Sequence, residues 1–286
     1  MQIVTDRGMD LTQDQIKNLN LHFAPLRFTL DGKTYSSGVD IQPDEFYNLL
    51  EKTNGYPTTS QPSSGEFTEI YRELAKTDPE ILSLHISSGL SGTINAARLG
   101  AKMVPEAHVT FVDSLTLSCP MGWQVEAAAK GIKAGWPMEK IVARLTEIRA
   151  GTEGLFTLAT LKYLIHGGRI SHIKGLLASV LNIKPIIGVE KEHGKYVQYG
   201  QDFTLRKSII KMVEKLKSWY PEGSYLRVQP LHGKNPEAAA SMIEELKRHF
   251  KILLEPLTAI APVLGAHTGP SIVGMAVAPV ELFAGL

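Results

Sequence analysis

Two α/β domains are what the sequence predicts, an N-terminal one over residues 1–150 with a mainly parallel sheet and a C-terminal one over 151–286 with a mixed sheet. Three observations lead to this expectation. Short apolar runs alternate with amphipathic helical segments, the mark of βαβ units. The alternation closes at Gly151 and restarts with LFTLA. At 286 residues, with 43% hydrophobic content, the chain is longer than one typical domain and can fill two cores.

In order, QIVTD (2–6) reads as a strand ending in an acid, and LTQDQIKNLN as a helix with Leu11, Ile16 and Leu19 on one face. LHFAPLRFTLDGKTYSSG (21–38) reads as a hairpin turning at Asp31-Gly32. PDEFYNLLEKT has Pro43 near its start, where a helix tolerates it. TTSQPSSGEF is a polar loop leading into the helix FTEIYRELAKT. EILSLHI (80–86) is an apolar strand, TINAARLGAKMV a helix, HVTFVD a strand and MGWQVEAAAKGIKAG a helix. In PMEKIVARLTEIRAG, Met138, Ile141, Val142, Leu145 and Ile148 share a helical face, and Gly151 stops the helix.

The second half opens with the strand LFTLA and the helix TLKYLIHGG, followed by the helix SHIKGLLASVLN and the strand KPIIGVE. KYVQYGQDF is a β segment running into the helix TLRKSIIKMVEKLKSW. SYLRVQPLHG is a strand, PEAAASMIEELKRHF a helix and KILLEPL a strand. APVLGAHTGPSIVGMAVAP closes the fold with a turn and an apolar strand.

Composition excludes several function classes. With 30 basic against 29 acidic residues the net charge is +1, which gives no electrostatic case for a nucleic-acid ligand. Cys119 is the single cysteine, so no intrachain disulfide forms, and a reducing compartment is expected. Asp6, Arg7, Asp10, Asp14 and Lys17 interrupt any signal-peptide core, and GLLASVLNIKPIIGV is broken by Asn182, Lys184 and Pro185 before it reaches spanning length. A cytoplasmic protein is the expectation. No phosphate loop, dinucleotide fingerprint or zinc-spaced Cys/His cluster is present, and GLSGT misses the nucleophile elbow by one residue.

Three turns carry the polar chemistry. In ISSGLSGTINAA, Ser91 falls near the N-cap of a helix starting at Thr93, so the N–H groups of Gly92 and Thr93 suit a carboxylate or phosphate. An ordinary N-cap uses the same residues. Thr58, Thr59 and Ser60 precede a proline in TTSQPSSGEF, and His267 sits beside Thr268 in GAHTGP. A capped loop and a structural histidine account for these equally. HGGRIS places Arg169 after a double-glycine helix stop, where a cation meets the negative helix end. Asp6 and Asp113 end strands, facing either a ligand crevice or the next helix.

Together, TSQPSSGEF, ISSGLSGT, VDS with its hydroxyl-rich turn, HGGRIS, NIKPI and GAHTGP, in this order, resemble the DegV family of bacterial fatty-acid-binding proteins, from IVTD to the closing ELFAGL. The resemblance implies a carrier with no cofactor, not an enzyme. It would hold a long-chain, palmitate-like fatty acid in a buried apolar tunnel. A separate fatty acid kinase subunit would phosphorylate the presented carboxylate in phospholipid metabolism, with transient contact to a membrane surface. It places the carboxylate on Thr59, Ser91 and His267, with Ser60, Gly92, Thr93 and Thr268 in support and Arg169 facing a partner. Two departures stand out. Phe203-Thr204 occupies the place where some relatives carry an arginine before threonine, with Arg206 three residues on; Arg7 in TDRGMD replaces a usual serine and is read as surface. LLASVLNI and LFTLATL are candidate tunnel walls or plain core. An acyl hydrolase using Ser91 and His267 and a small-anion-binding regulatory module are the competing readings.

Overall fold

The computed structural model describes residues 1–53, 55–173 and 182–286. Strands β1 (Gln2–Asp6), β2 (Leu21–Ala24), β6 (Glu80–His85) and β7 (His108–Asp113) form a four-stranded parallel sheet in the order β2-β1-β6-β7. From Ile81 to His85, β6 is buried at every position, as a strand covered on both faces must be. Helices α3 (Ser64–Ala75) and α4 (Thr93–Ala101) cover one face, packing Phe67, Tyr71, Ala96 and Ala97 with Val4 and Ile81. Helix α5 (Ser118–Lys133) covers the other, where Met121, Trp123 and Val125 join Ile3, Leu82 and Leu84.

The second sheet is mixed. β8 (Glu153–Thr157), β9 (Lys184–Val189), β10 (Tyr196–Asp202), β11 (Tyr225–His232), β12 (Lys251–Leu254) and β14 (Val273–Pro279) run in the order β10-β9-β8-β14-β11-β12. Neighbours are antiparallel except β11–β12 and the short β13 (Thr258–Ala259), which pair parallel. Strand β14 shows the two-residue period directly. Val273, Met275 and Val277 pack with Met212, Leu216, Met242 and Leu246 of the outer helices (Leu205–Leu216 and Pro236–His249), whereas Ala276 and Ala278 join the core of α5. The small alanines let α5 approach, so this one helix is shared by both sheets, and α6 (Met138–Gly151) packs beside it. A third, antiparallel sheet orders β4 (Lys33–Ser36), β3 (Arg27–Leu30) and β5 (Thr58–Ser60). Its Phe28 and Leu30 pack with Phe46, Tyr47 and Leu50 of α2 (Pro43–Lys52) and with Ala266 of a helix over Pro262–Thr268.

Several expectations need correction. The 21–38 hairpin is confined to β3 and β4, with Asp31 and Gly32 at φ +49° and +76°, while 21–24 joins the parallel sheet. Pro25 separates the two. The helix expected over 11–20 is a single capped turn, α1 (Gln13–Ile16). Residues 58–60 form a strand rather than loop. The turn expected at GAHTGP is the last part of the helix Pro262–Thr268, with Pro262 at its first turn. Of the helix expected at SHIKGLLASVLN, Arg169–His172 form a 3-10 turn, and the core of LLASVLNI lies outside the described residues.

The two larger sheets also meet at their turns. The β9–β10 turn lies on the turn after β6, where Ser87 Oγ donates to the Gly194 carbonyl at 2.7 Å. A Cβ on Gly89 would stand 2.3 Å from the His193 carbonyl oxygen. Backbone rather than a flexible side chain blocks that space. Gly89→Ala should therefore cost about 2–4 kcal/mol, read as a lowered urea midpoint; unchanged stability would show that this junction is loose.

Candidate functional site

Strand β1 has β2 on one side and β6 on the other, so the direction of winding reverses between β1 and β6. Crevices form beyond the carboxyl ends of strands at such a point. Asp6 ends β1 there, fully buried, and accepts from Gly8 N (2.8 Å), Ile86 N (3.0 Å) and the His85 ring (3.0 Å). Asp113, ending β7, accepts from Ser88 N and Leu115 N. Both acids hold turns. The turn after β7 is held in a costly shape, with Leu115 and Ser118 at φ +48° and +58°, and it aims Leu117 at the crevice.

The crevice opens as a cavity of about 270 Å³ lined by Thr59, Ser60, Gln61, Ser91, Arg169 and His267 at its polar end. Leu26, Ile86, Leu90, Val263, Leu117, Tyr196 and Leu264 complete it. Exposure falls from Ser60 and Gln61 at the rim, through half-buried Thr59, Ser91 and Arg169, to buried His267. Three of the walls, Leu117, Tyr196 and Leu264, also line a second, narrower and mainly apolar cavity of about 50 Å³. Leu155, Phe156, Leu231, Ile260, Ile272 and Met275 belong to it, as do Asp10, Ser118 and Thr268.

Thr59 Oγ1 and His267 Nε2 lie 2.8 Å apart, joining β5 to the helix Pro262–Thr268. Burial, and then the charge of Arg169, push the His267 pKa down to about 4, so the ring is neutral at physiological pH. Its Nδ1 is buried without a partner among the described residues. Ser91 Oγ pairs with Thr93 Oγ1 at 2.8 Å and accepts from Thr93 N at 3.3 Å. Gly92, not Ser91, is the N-cap of α4. A Cβ on Gly92 would stand 2.3 Å from Gln61 Oε1, so this glycine admits the TSQP loop rather than a ligand.

The structure thus brings Thr59, Ser60, Ser91 and His267 onto one cavity. Thr93 sits behind Ser91, Thr268 lies in the apolar lobe, and Gly92 lines neither. Arg169, given a partner-facing role by the sequence, lines the polar end and donates to the Gly167 carbonyl at 2.7 Å. Gln61, Leu117 and Tyr196 escaped sequence analysis. Gln61 borders a motif that was recognised, whereas Leu117 and Tyr196 look like ordinary core residues. Arg7 is half-buried, not surface, with its guanidinium 3.8 Å over the Phe23 ring. Phe203 is 73% exposed and Thr204 caps the following helix through Lys207 N.

Asp10, in the apolar lobe, is also perturbed. It accepts from Ala261 N at 2.8 Å and from Ser118 Oγ at 2.5 Å, and burial still raises its pKa to about 6.

The geometry has a close set of counterparts. The family model described as "Uncharacterised protein, DegV family" matches residues 1–280. A DegV domain-containing protein of Deinococcus radiodurans is 35% identical over 277 residues, covering 97% of this chain and 95% of the relative. Among solved structures, a DegV family protein from Thermus thermophilus described for fatty acid binding matches with TM-score 0.88 and 30% identity, over 98% of this chain and 99% of that one. DegV from Bacillus subtilis, described as a fatty acid binding protein, matches with TM-score 0.85 and 29% identity, over 97% and 98%.

The two perturbed groups act oppositely on stability. Between the ordinary imidazole value of 6.5 and about 4, the unfolded chain binds a proton that folded His267 refuses, so this residue makes stability fall as pH drops through that window. Folded Asp10 keeps a proton that the unfolded chain releases above 3.8, so this residue makes stability fall as pH rises from 3.8 to about 6. His267→Gln should remove an acid-side loss on the order of 1–3 kcal/mol between pH 6.5 and 4, measured by urea unfolding across that range. An unchanged slope would show that His267 is not buried neutral.

Proposed function

The chain belongs to the DegV family, and we propose that it is a carrier that binds a long-chain fatty acid, carboxylate at the polar lobe and tail toward the apolar one. The supporting observation is the arrangement of Thr59, Ser91, Arg169 and His267 on one cavity that shares Leu117, Tyr196 and Leu264 with an apolar neighbour. A carboxylate only accepts hydrogen bonds. A neutral His267 donating Nε2–H to Thr59 Oγ1 leaves the Thr59 hydroxyl proton free for the ligand. With the opposite tautomer, Thr59 would spend that proton on the ring. Ser91 can accept from the Thr93 hydroxyl and donate its own proton outward. Arg169 supplies positive charge, which the desolvated carboxylate needs.

The tail supplies the affinity. Each buried methylene contributes about 0.8 kcal/mol, so a chain of roughly fifteen far exceeds any head-group bond, even after the losses of association. The apolar lobe is narrow, and in this reading the chain widens it by rotamer shifts of Met275, Phe156 and Leu264, a change that flexible methionine tolerates well.

The hydrolase reading lacks its geometry. His267 Nε2 is held by Thr59, Ser91 is held by Thr93, and no carboxylate orients Nδ1 among the described residues. An Asp6–His85–Ser83 chain does occur, with His85 Nε2 at 2.7 Å from Ser83 Oγ, but all three residues are sealed at 0% exposure and Ser83 also pairs with Tyr71. No substrate reaches it. A small-anion module would not require the apolar lobe. Presentation of the carboxylate to a separate fatty acid kinase, and a transient membrane contact during loading, complete the proposed role. Both are supported by the likeness of the six motifs. Among the described residues no helix is long and apolar enough to cross a membrane.

Thr59→Val combined with Ser91→Ala should weaken palmitate binding about 10- to 100-fold, the scale of one or two bonds to a charged group, in a fluorescent fatty-acid displacement assay. Leu264→Trp, at the junction of the lobes, should exclude the tail and leave the purified protein without fatty acid in native mass spectra. Unchanged affinity in the first variant rejects the head-group assignment; normal loading in the second rejects the path of the tail.

A further inference from the structure

Strand β12 is the last strand of the mixed sheet, paired only with β11. Lys251 N donates to the Ser224 carbonyl and Glu255 N to the Val228 carbonyl, so residues 251, 253 and 255 direct their backbone groups at β11. By the alternation of a strand, the N–H and C=O groups of Ile252 and Leu254 point outward from the sheet. Natural edges are blunted by proline, a bulge or charge. Here the strand is short, with Lys251 at its start and Pro256 after its end, and between them Ile252, Leu253 and Leu254 run without a break in register. Leu253, Leu254 and Leu257 are 42%, 46% and 41% exposed on this edge.

The sequence across that edge is self-complementary. An antiparallel copy of the strand, centred on Leu253, places Ile252 opposite Leu254 and Leu254 opposite Ile252. Those are the residues with outward backbone groups, so both become hydrogen-bonded pairs. Leu253 meets Leu253 in the close, non-hydrogen-bonded position at the two-fold axis, where Cα atoms approach to about 4.5 Å. Lys251 then falls opposite Glu255. Glu255 meets Arg227 Nε at 2.8 Å and accepts from Gln15 Nε2 at 3.3 Å, while Glu126 shares that guanidinium and also meets Lys130 at 2.9 Å, so the incoming lysine adds a second cation to Glu255. A parallel copy would instead stack Lys251 on Lys251 and would not close under a two-fold.

We propose that β12 is a homodimer interface, in which two copies of this chain join their mixed sheets into one continuous sheet through antiparallel β12 strands about Leu253. The surface lies on the edge of the sheet opposite β10, and none of Lys251, Ile252, Leu253 and Leu254 lines either lobe of the cavity.

Sedimentation velocity over a hundredfold concentration range should show dimer forming with mass action in the wild type and monomer throughout in Leu254→Lys. Leu253→Cys should form a disulfide-linked dimer under mild oxidation, visible on a non-reducing gel. Lys251→Cys, opposite Glu255 rather than itself, should not. Cys119 is buried and does not compete. All three positions are exposed, and circular dichroism confirms folding. A wild type that stays monomeric, a dimer that survives Leu254→Lys, or cross-linking by Lys251→Cys and not Leu253→Cys would each overturn the proposal.

Discussion

The hydrogen bond between Thr59 and His267 fixes the site, because it joins two residues 208 positions apart in the chain. Thr59 is held by β5, a three-residue strand that exists only as the partner of β3. His267 is held by a seven-residue helix, too short to be stable alone. What orders that helix is the third sheet and α2: Tyr47 donates to the Ile260 carbonyl just before it, Ala266 enters their core, and Val263 N donates to Ser37 Oγ at 3.2 Å. The same packing that folds the small sheet therefore brings the imidazole to the threonine. Asp10 adds a second pin, tying Ala261 to Ser118 across the apolar lobe.

A division of labour follows from the dielectric gradient of the cavity. Polar groups lie where exposure is still considerable, and the apolar walls lie where it is lost. A charged carboxylate left at the rim keeps part of its hydration, and the desolvation it does suffer is offset by short hydroxyls already held in position. Burying His267 removes its own charge, so it orders a hydroxyl without competing for the anion. Were it cationic, it would repel Arg169 in a half-buried space. The direction of its pKa shift reflects both effects.

Much of this was legible locally. Hydroxyl-rich segments, the alternation of strands with helices, and glycine at sharp connections are written into consecutive residues, and Thr59, Ser91 and His267 do face one cavity. What was illegible depends on distant partners. LHFA could pair with the strand after Pro25 or with β1, and only the burial of Ala24 beside Val4 decides. PVLGAHT carries glycine and threonine, weak helix formers, and reads as a turn until its contact with Tyr47 is known. The glycines of ISSGLSG suggested access for a ligand, yet Gly89 admits the β9–β10 turn and Gly92 admits Gln61. Spacing reveals that a backbone must be approached closely, not by what.

Phe203, read from the sequence as standing where some relatives carry an arginine, lies away from the head-group end. Thr204 is committed to capping its helix, Phe203 lies largely in solvent, and Arg206 is exposed on the same helix. None of the three lines the cavity, whereas Arg169 does. Arg169 is the lining cation among the described residues. In the proposed carrier the carboxylate would depend on one guanidinium that is itself anchored by a backbone carbonyl, at Gly167. A monodentate anchor of this kind leaves the remaining donors of the guanidinium fork directed away from that carbonyl, which is the geometry a planar carboxylate requires. Head-group binding, as proposed, would thus rest on positioning a single charge well, with hydroxyls setting the direction from which it is met.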